Sequence, residues 1–229
     1  MVNRVSLALP WLGAAAGAWL LARGSNRRSA GLVTLGASLG MGLARWQLQR
    51  LVTEDIAYDL QATLGDIQLR SYPAQVWAET VVENATWSDT LSEGFGRLAG
   101  YLFGANAAKE RLTMSAPVLT TLANGAGTNQ IMTRTVAFVM PADRALASLP
   151  APEDPRVRLR AVPERRVAVL AFRGNYASGL PSERRQELIV RLADAGFLTR
   201  GSAYFAGYDP PSTLPPLRRN EIMIELADI

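Results

Sequence analysis

The sequence predicts an α+β fold made by internal duplication: two pseudo-symmetric β-β-α-β-β repeats that share one sheet, behind an apolar N-terminal extension. Three observations predict it. The stretch "LRSYPAQV" at 69–76 returns as "LRAVPERRV" at 159–167, ninety residues later. Each copy of this Leu-Arg-x-x-Pro motif leads into an apolar strand, an amphipathic helix and two further strands. The first fifty residues carry no acidic side chain, whereas the remainder alternates short apolar runs with polar turns.

Residues 5–22 (VSLALPWLGAAAGAWLLA) form an 18-residue run without a charge. As a helix it would span about 27 Å, just short of a bilayer's hydrocarbon core. Pro10 lies early enough to be tolerated near a helix start. Trp11, Trp19 and Trp46 suit a membrane boundary. A basic link, "RGSNRRS", leads into a weaker glycine-rich segment at 30–44. Gly13 with Gly17, and Gly36 with Gly40, form G-x-x-x-G pairs that let two helix backbones approach closely. The expected structure of 1–50 is a helical hairpin that anchors the protein in a membrane, a bacterial inner membrane, with lipid as a partner. A cleaved signal peptide and a soluble helical pair packed on the domain are the alternatives, although "AWLLAR" is a poor cleavage site. Three arginines in the link (Arg23, Arg27, Arg28) balance three in the flanks (Arg4, Arg45, Arg50), so charge gives no orientation.

Residues 51–229 are the globular part. In the first repeat a strand at 76–82 precedes a helix at 88–103, with Leu91, Phe95, Leu98 and Leu102 on one face and Ser88–Asp89 at its start. Strands at 112–122 and 133–140 follow. In the second repeat a strand at 167–172 precedes a helix at 182–195, with Leu188, Ile189 and Leu192 inward and a Glu187–Arg191 pair outward. Strands at 202–208 and 221–226 complete it; Ile222, Ile224 and Leu226 take one face of the last strand, and Glu221, Met223 and Glu225 the other. Gly104 and Gly196 end the helices, residues 150–155 link the halves, and "DPPSTLPPLRR" is a proline-rich loop. Pro117 suits an edge strand or a bulge. A sheet of this make-up can curl into a barrel.

Composition removes several functions. The chain has no cysteine and no histidine, so disulfides, thiolate chemistry, histidine bases and imidazole ligands are absent. The pI near 9.8 suggests nucleic acid until the charge is divided. Six arginines lie in residues 1–50; removing them from the chain's 24 basic residues leaves 18 against 20 acids, a net of −2. A nucleic-acid partner is therefore not expected, because a basic footprint should lie on the folded domain. Glu79, Glu83 and Glu93 could in principle do acid–base work, but nothing in their spacing selects it. The chain is read as a non-enzyme.

Residues 58–227 resemble the SOUL/haem-binding protein family. The stretches that carry the resemblance are "IQLRSYPAQVWAET", "GFGRLAGYLFGAN" running into "RLTMSAPV", "FVMP", "VAVLAFRGNY" and "RRNEIMIEL". They recur in family order over about three quarters of the chain. The resemblance implies a distorted antiparallel barrel with two helices, akin to effector-binding domains of the gyrase-inhibitor type. It also implies that haem or a related tetrapyrrole binds in an apolar groove beside the first helix.

Aligned on Tyr101, Gly104 and Asn106, the family's contact positions fall on Ser92, Phe95, Ala99 and Gly100, so its methionine and basic side chains are missing here. Leu98 and Leu102 complete the implied lining, and Met114 follows in "RLTMSAPV". Arg97, Lys109 and Arg111 are the cations nearby for propionates, and an axial ligand, if any, falls to Met114, Tyr101 or another methionine or tyrosine. Against this stand plainer roles: Phe95, Leu98, Leu102 and Trp77 as core, Met114 as a gap-filler, Arg97 and Lys109 as solvated charges, and Arg219 with Glu221 as a structural network. Three functions follow: a membrane-anchored tetrapyrrole carrier, buffer or sensor; a ligand-free interaction module held at a membrane protein complex; or a hydrolase or small-molecule effector domain.

Overall fold

The computed structural model describes residues 55–122, 132–175, 179–210 and 213–227. The expected hairpin of residues 1–50 lies outside them. No helix among the described residues is long and apolar enough to cross a membrane.

Nine strands and two helices follow in the order β1 (Asp59–Leu64), β2 (Ile67–Tyr72), β3 (Gln75–Ala85), α1 (Trp87–Leu102), β4 (Val118–Leu122), β5 (Met132–Val139), β6 (Val157–Val162), β7 (Arg165–Phe172), α2 (Leu180–Asp194), β8 (Thr199–Gly207) and β9 (Asn220–Leu226). The strands make one sheet, β1-β2-β7-β9-β8-β4-β5-β3-β6, and every neighbouring pair is antiparallel. Reading outward from the central β8–β4 pair, β9 answers β5, β7 answers β3, and β2 answers β6. The duplication is thus a pseudo-twofold axis in the sheet, and β1 is an added edge strand.

The repeats exchange their first strands. β2 pairs with β7 of the second repeat, and β6 pairs with β3 of the first. The Leu-Arg-x-x-Pro motif marks the crossing: Pro73 and Pro163 sit in two-residue links that send consecutive strands to opposite halves. Proline fixes φ and donates no hydrogen bond, so the link cannot close into a paired hairpin as easily as it can turn away. The register confirms the equivalence. Arg70 lies opposite Val167, and Arg160 lies opposite Trp77, which is the residue equivalent to Val167.

The helices cover one face of the sheet. α2 packs Leu188 and Leu192 onto Ile67, Leu170, Phe205, Ile222 and Ile224. α1 packs Leu98, Tyr101 and Leu102 onto Ala78, Val136 and Phe138. A third cluster fills the other face, and it takes Tyr72 from β2, Trp77 from β3, Val162 from β6, Val167 from β7 and Met223 from β9. One cluster can join strands so far apart in the order only if the sheet curls over it. Gln75 and Arg165 show the extent. Their strands lie five positions apart, about 24 Å in a flat sheet, yet Arg165 Nη2 donates to Gln75 Oε1 at 3.0 Å. The expected barrel is therefore an open curl, with β1 and β6 as its edges.

Several boundaries differ from those expected. α1 begins at Trp87, not residue 88, because Thr86 is its cap: Thr86 Oγ1 accepts from the Asp89 N–H at 3.2 Å. Its buried face is Trp87, Thr90, Gly94, Leu98, Tyr101 and Leu102, with Leu91 partly buried against the core, so Phe95 lies off the expected stripe. Gly94 sets this rotation. A Cβ there would come within 2.5 Å of Val136 Cγ2, so the helix lies on β5 through its glycine. Gly104 (φ 112°) and Gly196 (φ 78°) do end the helices, in a conformation that glycine adopts at little steric cost.

The strand expected at 112–122 shortens to β4, which is central in the sheet, and Pro117 stands just ahead of it rather than on an edge. Residues 103–117 are instead an irregular arm organised by buried Asn106. Its Nδ2 donates to the carbonyls of Tyr101 (3.0 Å) and Glu110 (2.7 Å), and its Oδ1 accepts from the Glu110 N–H (3.1 Å). One asparagine satisfies three backbone groups, which lets the chain turn without a ladder.

Candidate functional site: the outer face of the first helix and the curl of the sheet

The residues expected to bind a ligand separate into two layers on α1. Leu98 and Leu102 are fully buried in the core beneath the helix. Ser92, Phe95, Gly96, Ala99, Gly100 and Phe103 fall within an arc of about 140° that faces away from the buried stripe. Phe95 is 42% exposed and Phe103 66% exposed, while Ala99 and Gly100 are half-buried. The Phe95 ring meets buried Phe138 edge-on, with centroids 5.4 Å apart. The outer face of α1 is thus two aromatic rings separated by small residues, a shelf on which a flat apolar molecule can lie.

The flanking cations are engaged. Arg97 Nη1 donates to the Val81 carbonyl (2.8 Å) and to Thr80 Oγ1 (3.2 Å), and its Nη2 pairs with Glu93. Lys109 pairs with Glu153, and its ammonium side chain is 71% exposed. Arg111 is exposed. Met114 is 39% exposed on the arm that returns along α1, where the Leu112 N–H donates to the Leu102 carbonyl. Tyr101 is no free ligand. Its hydroxyl donates to the Pro150 carbonyl at 3.0 Å, and burial pushes its pKa up, against the phenolate that iron would need.

Charge is also buried within the sheet. Glu221, on β9, accepts from Arg70 Nη1 and Nη2 at 3.0 Å each, from Tyr208 Oη at 2.7 Å and from Arg219 Nη2 at 3.4 Å. Every lone-pair direction of this carboxylate is occupied, which makes it a structural centre. The Glu221 charge raises the Arg70 pKa although burial alone would lower it. Burial, reinforced by Glu221, pushes the Tyr208 hydroxyl up. Arg70 was visible in the sequence only as part of the repeated Leu-Arg-x-x-Pro motif, with no role attached to it.

Within the curl lies a cavity of about 70 Å³, lined by Trp77, Leu119, Arg160, Val162, Arg165, Val167, Tyr204, Met223 and Glu225. It lies across the sheet from α1, since Trp77 and Val162 belong to the inner cluster while Ala78 and Leu159 face the helix. Trp77 and Tyr204 form its aromatic wall, edge to face at 5.4 Å. None of its lining residues except Trp77 was singled out as a candidate from sequence, and Trp77 only as core, because they come from six strands and meet only when the sheet curls. The carboxylates considered for acid–base work do not converge there. Glu79 pairs with Arg160 at 2.9 Å, Glu93 with Arg97, and Glu83 is exposed. No group of three metal-ligating side chains occurs among the described residues.

The fold is a duplicated, curled antiparallel sheet with its helices on the outer face. Solved structures with this arrangement include the EcmrR C-terminal domain, at 13% identity and TM-score 0.57, covering 73% of this chain and all of that one. A hydrolase from Listeria innocua is another, at 8% identity and TM-score 0.51, covering 73% of this chain and 94% of that one. These likenesses show a shared fold. Sequence gives the family: residues 53–225 match the SOUL heme-binding protein family, and the chain belongs to it. Among curated relatives, Heme-binding protein 2 of Mus musculus is 27% identical over 171 residues, covering 72% of this chain and 80% of that protein. Heme-binding protein 2 of Homo sapiens is 28% identical over 165 residues, covering 70% and 78%. Members of this family are binding proteins, and this chain is a binding protein rather than an enzyme.

Proposed function

We propose that this chain is a tetrapyrrole-binding protein, acting as carrier, buffer or sensor, that takes its ligand on the outer face of α1 and is held at a membrane by residues 1–50. The observation that carries the ligand site is the exposed shelf of Phe95 and Phe103, with Ser92, Gly96, Ala99 and Gly100 between them, in a chain of the SOUL family. Two partly bare aromatic rings on one helix face offer stacking area, and glycine and alanine let a macrocycle approach the backbone.

The residues fit the apolar ring better than its acid groups. Propionates would have to draw Lys109 from Glu153 or Arg97 from Glu93, and the exposed Lys109 pair is the easier to open. Iron would find no imidazole; Met114 is the exposed sulfur near α1, and methionine is a known axial donor. The membrane role rests on the uncharged run at 5–22 and its tryptophans.

Titration of the full chain with hemin and with protoporphyrin IX tests the reading. A saturable change in the Soret region is expected for both, and Met114→Ala should remove any preference for hemin. No saturable change with either compound would overturn it. The prior engagement of Arg97 and Lys109 favours a second reading, an interaction module that has lost its ligand. It expects a silent spectrum together with co-purification of a membrane protein from detergent.

A further inference from the structure

The cavity inside the curl contains a charge that the fold does not explain. Arg165, the first residue of β7, is 8% exposed, and its Nη1 has no hydrogen-bond partner. Its Nη2 donates to an amide, Gln75, not to a carboxylate. The guanidinium lies against aromatic rings, 4.9 Å from the Trp77 centroid and 5.6 Å from that of Tyr72. Removing a cation from water costs several kcal/mol unless an anion and full hydrogen bonding compensate. The other charges around the cavity pair off: Arg160 with Glu79, and Glu225 with Arg200. Arg165 has no carboxylate partner of its own: burial lowers its pKa, and the Glu225 charge, already paired with Arg200, offsets that only in part.

The duplication shows that the equivalent position of the other repeat carries no charge. The residue equivalent to Arg165 in the first repeat, ninety positions earlier, is Gln75. Each is the first residue of its strand, and each pairs with the last residue of the exchanged strand, Gln75 with Val162 and Arg165 with Tyr72. One backbone position therefore accepts a neutral amide in one half and carries a buried cation in the other.

We propose that this cavity binds the carboxylate of a small, flat organic acid, with Arg165 as the recognising charge. A volume of about 70 Å³ holds a carboxylate head and little more. The free Nη1 supplies a charge-assisted donor, and the Trp77–Tyr204 wall receives the ring that the carboxylate carries. Glu225, which also lines the cavity and acts on Arg165, competes with a bound anion for that charge. The site is separate from the shelf on α1, with the sheet between them.

Calorimetric titration of the full chain with benzoate, its neutral isostere benzamide, and inorganic phosphate tests the proposal. Benzoate is expected to saturate a site, and benzamide to bind at least about tenfold more weakly, as expected for losing a charged hydrogen bond. Arg165→Gln should weaken benzoate by a similar factor, and the sheet tolerates glutamine at the equivalent position 75. Glu225→Gln, which keeps Arg165, should tighten benzoate severalfold. Arg165→Gln should leave the Soret response to hemin unchanged. The proposal is overturned by absence of saturable benzoate binding, by equal binding of benzamide, or by binding of phosphate in place of benzoate. Unchanged affinity in Glu225→Gln, or loss of the hemin response in Arg165→Gln, overturns it equally.

Discussion

Two ion pairs show how environment decides what a side chain contributes. Arg70 and Glu221 are buried together, with two parallel hydrogen bonds of 3.0 Å, and each is the other's main charged partner. Arg70→Leu leaves Glu221 buried without its main partner and is expected to destabilise the fold by about 3–5 kcal/mol, measured by urea unfolding. Replacing both partners with apolar residues should recover much of that loss. By contrast Lys109→Ala breaks an exposed pair and should change stability by less than about 1 kcal/mol. A small loss in Arg70→Leu would show that the network is not the structural centre described here.

At the scale of elements, α1 carries both a buried packing face and the proposed ligand shelf. Its position on β5 depends on Gly94, so Gly94→Ala should cost about 1–3 kcal/mol by forcing the helix away from Val136. Gly96, two residues on, has open space where a Cβ would go, and Gly96→Ala should stabilise the helix by up to about 1 kcal/mol. Equal effects of the two substitutions would contradict this packing. The helix, its glycine stop and its apolar period were legible in the sequence. Which residues of the stripe point inward was not, because hydrophobicity ranks Phe95 above Gly94, whereas close approach to β5 reverses them. For the same reason Phe95 could be read both as core and as a ligand position: an exposed phenylalanine and a buried one have the same letter.

At the scale of the molecule the repeat was legible and the exchange was not. "LRSYP" and "LRAVP" announced two copies, but a strand's partner is chosen by long-range pairing that no local pattern records. The inner cavity was hidden for that reason, since Arg165 and Gln75 meet only across the curl. The curl also buries phenols. Burial pushes the Tyr72 hydroxyl up to about 12, and the Tyr204 and Tyr208 hydroxyls are raised chiefly by burial as well. Unfolded tyrosine ionises near pH ~10, so above it the folded chain holds protons that the unfolded chain has shed. Stability should therefore fall as pH rises from about 10 towards 12, read as a falling denaturation midpoint. A midpoint constant across that window would mean that these hydroxyls are not buried as described.

The central claim is that a tetrapyrrole lies on the outer face of α1. Its most direct test is the hemin titration of the full chain carrying Ala99→Trp, read in the Soret region beside the unaltered protein. A bulky ring on the shelf should weaken or abolish a response that the unaltered protein gives in full. A Soret titration that the substitution leaves unchanged would place the ligand elsewhere and contradict the account.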